Sequence, residues 1–364
     1  MDAVAPSLEP SPSLPPDHYF HALVSGRTRG PWAGLQRGGL RLAAIPFGWA
    51  TRLRNALFDR GWKRVYRAAV AVVSVGNLTL GGTGKTPCVE YVACYYLDQG
   101  LRVAVLSRGY GAAAGCNDEA LVLEENLPDV PHLQGADRVA LAQTAVTELE
   151  SEVLVLDDGF QHRRLARDLD VVMVDATNPW GHGYQFPRGL LRESPAGLRR
   201  AQVVLLTRCD QVPGEQRDQL RATISRLAPH AVVAESVHQP LELQDGDGTC
   251  RQLDLLRDRP VAAFCGLGNP AAFRRTLLDL GANVRTFRTF PDHHPYSRTD
   301  VEALRFWARQ LASDAVVVTT QKDLVKLRLS QLGGRALYAL RIRLHVTKGQ
   351  ESLDQQLLSV VRYP

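Results

Sequence analysis

The 364-residue chain is 45% hydrophobic and 22% charged, ordinary globular usage that excludes wholesale disorder, and at about 150 residues per domain it suggests roughly two domains. Its six cysteines form no CxxC pair, which excludes a disulfide scaffold and the usual zinc-ribbon spacings and fits a reducing cytosol. The net charge of +5 is modest, but ten basic residues and one acid, Asp59, lie between Arg27 and Arg67, and such a block seeks an anionic partner: a membrane surface, a nucleic acid or a phosphorylated substrate.

Met1 to Asp17 carries five prolines, so residues 1–20 are expected to be a disordered Pro-rich tail. It has neither the basic start nor the apolar stretch of a signal peptide. Residues 21–68 follow as a basic amphipathic segment. Phe47, Ala50, Leu53, Leu57 and Phe58 share one helical face, and Arg52, Asn55, Asp59 and Arg60 share the other. Pro46 is suited to start this helix, and Trp49 and Trp62 flank it. The pattern reads as a helix lying on a membrane surface. Its longest apolar run, Leu42 to Ala50, is too short to span one.

From residue 69 the pattern becomes α/β. Strands are expected at 69–75, 102–107, 153–156, 171–174 and 203–206, with helices at about 86–99 and 137–149 between them. Strands alternating with helices give a parallel sheet covered on both faces. Residues 209–260 read as a mixed, polar stretch. A second α/β pattern follows, with strands at 261–265, 284–287 and 315–319 and helices at 271–280 and 298–312. The expected fold is a P-loop NTPase-like core with a parallel sheet over residues 69–235, plus a smaller C-terminal α/β domain over 236–364.

The chemistry concentrates after the first strand, in Gly81-Gly82-Thr83-Gly84-Lys85-Thr86. Small residues let backbone N–H groups close around phosphate oxygens. Lys85 can reach the β- and γ-phosphates, and the Thr86 hydroxyl can hold Mg²⁺. Thr79, Leu80, Gly81, Gly82, Thr83, Gly84, Lys85 and Thr86 are therefore the candidate nucleotide ligands, although Thr79 stands where the strict pattern has glycine. Asp157-Asp158 ends an apolar strand, the place of the second, metal-holding half of such a site. Acceptor-activating candidates lie after strands at Asp118-Glu119, at His162 and at Asp292-His293-His294, and spacing alone does not choose among them.

Several linked stretches resemble one family. Val75 to Pro87, Ser107-Arg108-Gly109-Tyr110-Gly111, Asp157-Asp158-Gly159-Phe160-Gln161-His162 with Arg164 to Asp168, and Pro187 to Glu193 look very like motifs of the tetraacyldisaccharide 4′-kinases of lipid A biosynthesis. Arg52 to Tyr66 resembles the family's basic lead-in, and Asp292-His293 and Thr320-Gln321-Lys322-Asp323 resemble its C-terminal motifs. The resemblance implies transfer of the ATP γ-phosphate, with Mg²⁺, to the 4′-hydroxyl of a tetraacylated glucosamine disaccharide 1-phosphate. It places the enzyme on the cytoplasmic face of the inner membrane as a peripheral protein, with a lipid A precursor rather than nucleic acid as partner. It implies that Asp118 takes the hydroxyl proton, that His293 supports it, and that Arg138 stands near the phosphates. Arg52, Arg54, Arg108, Arg192 and Glu193 are candidates for substrate or membrane contact. The departures include Asn117 and Ala120, where the family run begins with glycine and ends in proline, and Gln321, where glutamate is common. The competing readings are a membrane-partitioning P-loop ATPase, disfavoured by Leu80 at the signature-lysine position, and a kinase for a soluble acceptor, which would not need the basic helix.

Overall fold

The computed structural model of the chain describes residues 16–109 and 118–361. Asn117, Tyr110, Gly111 and the tail before residue 16 lie outside the described residues. Two helices come first, α1 (Pro16–Val24) and α2 (Pro31–Asp59). Next come β1 (Ala71–Asn77), α3 (Lys85–Asp98), β2 (Val103–Ser107), α4 (Asp118–Asn126), β3 (His132–Gln134), α5 (Arg138–Thr147), β4 (Val153–Asp157), β5 (Leu169–Asp175), β6 (Val203–Thr207), α6 (Gly214–Leu227) and β7 (Val232–Gln244). The remainder is β8 (Cys250–Arg251), β9 (Pro260–Cys265), α7 (Pro270–Asp279), β10 (Asn283–Thr289), α8 (Arg298–Arg309), β11 (Val316–Thr320), α9 (Gln321–Leu327), β12 (Gln331–Leu332), β13 (Arg335–Lys348) and α10 (Gln350–Ser359).

Among the described residues the strands form one 13-stranded sheet, ordered β10-β9-β11-β13-β7-β6-β5-β1-β4-β2-β3, with β12 and β8 pairing off β13 and β7. From β3 to β7 every pairing is parallel. The strands β2, β4 and β6 are buried along their whole length, as expected where helices cover both faces and leave no polar side for alternation. Successive residues point to opposite faces. Val73, Val75, Val153 and Val155 join the layer under α3, while Val72, Leu154 and Leu156 join the layer under α5. The second half carries its own core, with Phe264, Trp307 and Val317 on one face and Val261, Phe273 and Val318 on the other. The two halves meet where β7 pairs antiparallel with β13, a ladder running from Ala339–Gln244 to Lys348–Glu235. The expected boundary at 235/236 falls inside β7.

Several local expectations are corrected. Residues 16–20, expected in the disordered tail, begin α1. Pro46 does not start the basic helix but sits inside α2, which begins at Pro31. Proline at the first helical position costs no hydrogen bond, and Pro31 is as well suited to that role as Pro46. The polar stretch 209–260 contains α6 and β7. α6 is exposed over most of its surface, with Leu220 and Ile224 as its buried residues, so its short apolar stripe is easily overlooked. β3, α4, α9, β13 and α10 had no sequence expectation.

The faces of α2 are mixed. Of the expected apolar face Phe47, Leu57 and Phe58 are half-buried and Ala50 and Leu53 exposed; of the expected polar face Arg52, Asp59 and Arg60 are exposed and Asn55 half-buried. Arg54, Asn55 and Asp59 bond to the body. Trp49 and Leu53 are 68% and 60% exposed. Phe47 packs on Phe186 with ring centres 5.7 Å apart, so the body holds α2 through an aromatic contact as well as hydrogen bonds and ion pairs.

Candidate active site

β1 delivers the chain to the phosphate loop at the buried Asn77. The Asn77 amide donates to the Thr83 hydroxyl at 2.9 Å, tying the two ends of the loop together. Gly81 and Gly84 adopt φ of 104° and 87°, a region in which side chains are disfavoured. At Gly84 a Cβ would also lie 2.4 Å from His238 Nε2, so that position excludes any side chain twice over. The Thr207 hydroxyl donates to the Thr83 carbonyl at 3.1 Å and Arg208 to the Gly82 carbonyl at 2.7 Å. Outside, the loop pairs with the 187–193 motif. Leu80 N–H donates to Leu190 and Arg192 N–H to Leu78, both at 2.7 Å. Lys85 and Thr86 open α3, whose N-terminal N–H groups and dipole favour phosphate.

The aspartate pair stands at the end of β4, the strand next to β1. Asp158 has φ of 53°, an uncommon value for a residue with a side chain. It accepts from Arg192 at 2.7 Å and lies 3.7 Å from Lys85 Nζ. Burial works against its charge, but Lys85 and Arg192 hold its carboxyl below the usual range. Asp157 behaves oppositely. Burial, with Glu119 nearby, pushes its carboxyl up to about 6, although Lys85 pulls the other way. Asp157 Oδ1 is buried without a hydrogen-bond partner among the described residues. Arg138, buried at the start of α5, donates to the Asp157 carbonyl at 3.0 Å.

Asp118 opens α4 and is buried. His293 comes from the loop between β10 and α8, 175 residues away, and its Nδ1 lies 2.9 and 3.0 Å from the two Asp118 oxygens. Burial alone would raise the Asp118 carboxyl. The His293 hydrogen bond and charge, with Lys322 and Lys326, hold it well below the usual carboxylate range. Asp118 in turn raises the His293 imidazole, against the effect of burial. His293 has φ of 57°, and its side chain is 53% exposed. Glu119 is held low by Lys322, whose Nζ lies 2.6 Å from Glu119 Oε1.

A cavity of about 940 Å³ opens beside the phosphate loop. Eight of its lining residues are Arg or Lys (Arg54, Lys63, Arg64, Arg108, Arg138, Arg163, Arg164 and Arg192), against one acid, Asp158. Such a lining suits a multiply anionic occupant. His162 also lines it, with its imidazole pushed down to about 4 by burial and the nearby arginines. Arg52 is exposed on α2 and does not line this cavity. Glu193 lies in a hub behind the wall. It accepts from Arg200 at 2.9 and 3.0 Å, from Gln161 at 3.0 Å and from Asn55 of α2 at 2.9 Å.

Gln161 is the residue that sequence reasoning passed over. Its amide donates to Glu193 and to the Asn77 carbonyl at 2.9 Å, its side-chain oxygen faces Arg192 at 3.4 Å, and its own carbonyl accepts from Arg54. It therefore links α2, the Arg192-Glu193 pair and the phosphate loop. Its position inside the Asp157 to His162 motif was the available signal. Lys326 was missed as well, although it stands one helical turn beyond Lys322.

The chemistry of a divalent ion fits Asp157, Asp158 and Thr86. A buried, unpartnered carboxylate oxygen beside a second acid and a hydroxyl is a suitable set for Mg²⁺, which otherwise keeps water and phosphate ligands. Among the described residues no group of three or more His, Cys, Asp and Glu could hold a metal by itself. His294 pairs with Asp300 at 3.0 Å instead of completing an Asp-His-His site.

Residues 38–362 match the family described as tetraacyldisaccharide-1-P 4′-kinase. A protein of Anaeromyxobacter dehalogenans (strain 2CP-C) named tetraacyldisaccharide 4′-kinase is 44% identical over 350 residues, covering 90% of this chain and 92% of its own. One of the same name from Syntrophus aciditrophicus (strain SB) is 37% identical, covering 85% and 89%. The crystal structure of LpxK from Aquifex aeolicus in complex with ATP superposes with a TM-score of 0.72 at 29% identity, covering 90% of this chain and all of that one.

Proposed function

The chain belongs to the tetraacyldisaccharide-1-P 4′-kinase family, and from that premise we propose that it transfers the γ-phosphate of ATP to the 4′-hydroxyl of a tetraacyldisaccharide 1-phosphate in lipid A biosynthesis, at the cytoplasmic face of the inner membrane. The observation that carries the reading is the basic cavity, which joins the phosphate loop, through Leu80 and Asp158, to α2, through Arg54 and Phe58. A soluble acceptor would not need a docking helix as one wall of its site.

Loop N–H groups, Lys85 and Arg138 take the nucleotide phosphates. Thr86, Asp157 and Asp158 would hold Mg²⁺, which when bound would supply charge neutralisation along the phosphates. Asp118 takes the hydroxyl proton and His293 orients it. A carboxylate held so low is a weak base, but phosphoryl transfer through a loose transition state needs alignment more than basicity. Arg192 couples Asp158 to the cavity, and Arg108 and the arginines of the α2 side meet the acceptor's anionic group. The exposed stripe Trp32, Leu35, Leu42, Ile45, Trp49 and Leu53 on α2, flanked by exposed Arg41 and Arg52, supports docking on an anionic membrane surface. No helix among the described residues is long and apolar enough to cross a membrane.

The test is phosphate transfer from labelled ATP to tetraacyldisaccharide 1-phosphate in detergent micelles, with Lys85→Ala and Asp118→Ala as controls. Lipid phosphorylation by the parent, lost in both variants, is expected. Normal ATP binding without transfer to the lipid would overturn the acceptor assignment.

A further inference from the structure

Lys326 on α9 has no part in the mechanism above, yet its side chain is only 10% exposed. Its Nζ lies 3.3 Å from Asp118 Oδ2 and 3.5 Å from Asp323 Oδ1, and 5.3 Å from the centre of the Tyr296 ring. A lysine ammonium has three N–H donors. One donates to Asp118, and the ammonium is otherwise enclosed by the Asp323 carboxylate and the Tyr296 ring, facing the two acids.

Asp323 is fully buried. It accepts from the Gly266 N–H at 3.1 Å, the Tyr296 hydroxyl at 2.9 Å and the Thr320 hydroxyl at 2.6 Å. Tyr296 packs on Phe290 and His294, with ring centres 5.0 Å away in each case. Phe290 and His294 bracket the loop that presents His293. The Asp323 hub therefore anchors one member of the Asp118–His293 pair, and Lys326 reaches from that hub to the other member.

We propose that Lys326 is a positioning residue for the phosphoryl transfer, fixing the Asp118 carboxylate and tying it to the hub that anchors the His293 loop. The proposal rests on the reading of Asp118 as the proton acceptor. Three charged or titratable groups face Asp118: His293 from its loop, and Lys322 and Lys326 from α9, while the Glu119 N–H donates to its Oδ1. Lys322 is already engaged by Glu119, so it does not replace Lys326.

The experiment compares the full-length parent with Lys326→Met and Lys326→Arg. In Lys326→Met, kcat should fall about tenfold to a hundredfold, as small misplacements of catalytic groups do. KM for ATP should stay within about twofold. Lys326→Arg should restore part of kcat. The carboxyl-carbon NMR shift of Asp118 at neutral pH gives a readout independent of turnover; it should move in Lys326→Met, which loses the adjacent ammonium, and return toward the parent's in Lys326→Arg. An unmoved Asp118 resonance would overturn the proposal. So would a raised KM for ATP with kcat unchanged, which would make Lys326 a phosphate ligand. Movement of the Asp118 resonance in Lys326→Met, together with a parent that phosphorylates no lipid, would instead overturn the functional reading.

Discussion

Replacing Glu193 by alanine tests whether the Arg192-Glu193 motif acts on the substrate or behind it. Glu193 is 4% exposed and accepts two hydrogen bonds from Arg200, one from Gln161 and one from Asn55. Its removal leaves the Arg200 guanidinium, 13% exposed at the side chain, without its counter-charge, and breaking a buried pair in this way costs about 3–5 kcal/mol. The Phe160 ring, 4.3 Å from that guanidinium, is there in parent and variant alike and offsets none of this, so a loss of about 3–5 kcal/mol is expected. At about 2 °C per kcal/mol for a chain of this size, the melting temperature should fall by roughly 6–10 °C. Glu193→Gln keeps the shape and one acceptor oxygen and should lose about half as much. Because Gln161 also holds Asn77, and Asn77 holds Thr83, KM for ATP should rise in the alanine variant. Calorimetry and steady-state kinetics on the two variants decide the matter. A melting temperature within 2 °C of the parent, together with a collapse in lipid turnover, would refute the argument and make Glu193 a substrate contact.

Two other outcomes follow from the geometry. Trp49→Glu with Leu53→Glu on the outer face of α2 should weaken co-sedimentation with anionic vesicles at least tenfold, each buried side chain being worth about 1.5–3 kcal/mol, while turnover on micellar lipid falls much less; equal vesicle binding would remove α2 as the docking face. Asp157→Asn should stabilise the chelator-treated protein while abolishing Mg²⁺-dependent turnover. The folded Asp157 carboxyl is raised to about 6, above its ordinary value near 3.9, so the parent is favoured when that carboxyl is protonated and loses stability as pH rises through 6. The gain in Asp157→Asn should therefore be absent near pH 4, grow toward pH 6 and level off above it, reaching on the order of 1–3 kcal/mol; a gain independent of pH would show that the charge of Asp157 is not what burial penalises.

The parts of this protein that were legible in its sequence are those whose physics is local. The phosphate loop needs consecutive small residues between a strand and a helix, and β1, the loop and α3 lie within about one residue or two of where the pattern put them. Fully buried strands such as Val153–Asp157 announce themselves as apolar runs. What escaped depends on partners distant in sequence. The helical wheel of α2 separates polar from apolar positions, but it does not say which side meets the protein, because that depends on Gln161, Arg163 and Glu193, more than a hundred residues further on. The same holds at the Asp118–His293 pair. Asp118 and Glu119 are two loop acids until α9 places Lys326 and Lys322 against them in register.

This dependence bears on how the site is held. Arg54 and Asn55 of α2 bond to Gln161 and Glu193, Gln161 bonds to Asn77, and Asn77 closes the phosphate loop at Thr83. On the other side, α9 and the Asp323 hub hold Asp118 and His293. The nucleotide loop is thus braced from α2, and the acid–histidine pair is braced from the C-terminal half. The two braces draw on separate residues, so damage to one should leave the other's signature intact. Loss of the Glu193 hub should act first on ATP affinity and stability, whereas loss of Lys326 should act on kcat.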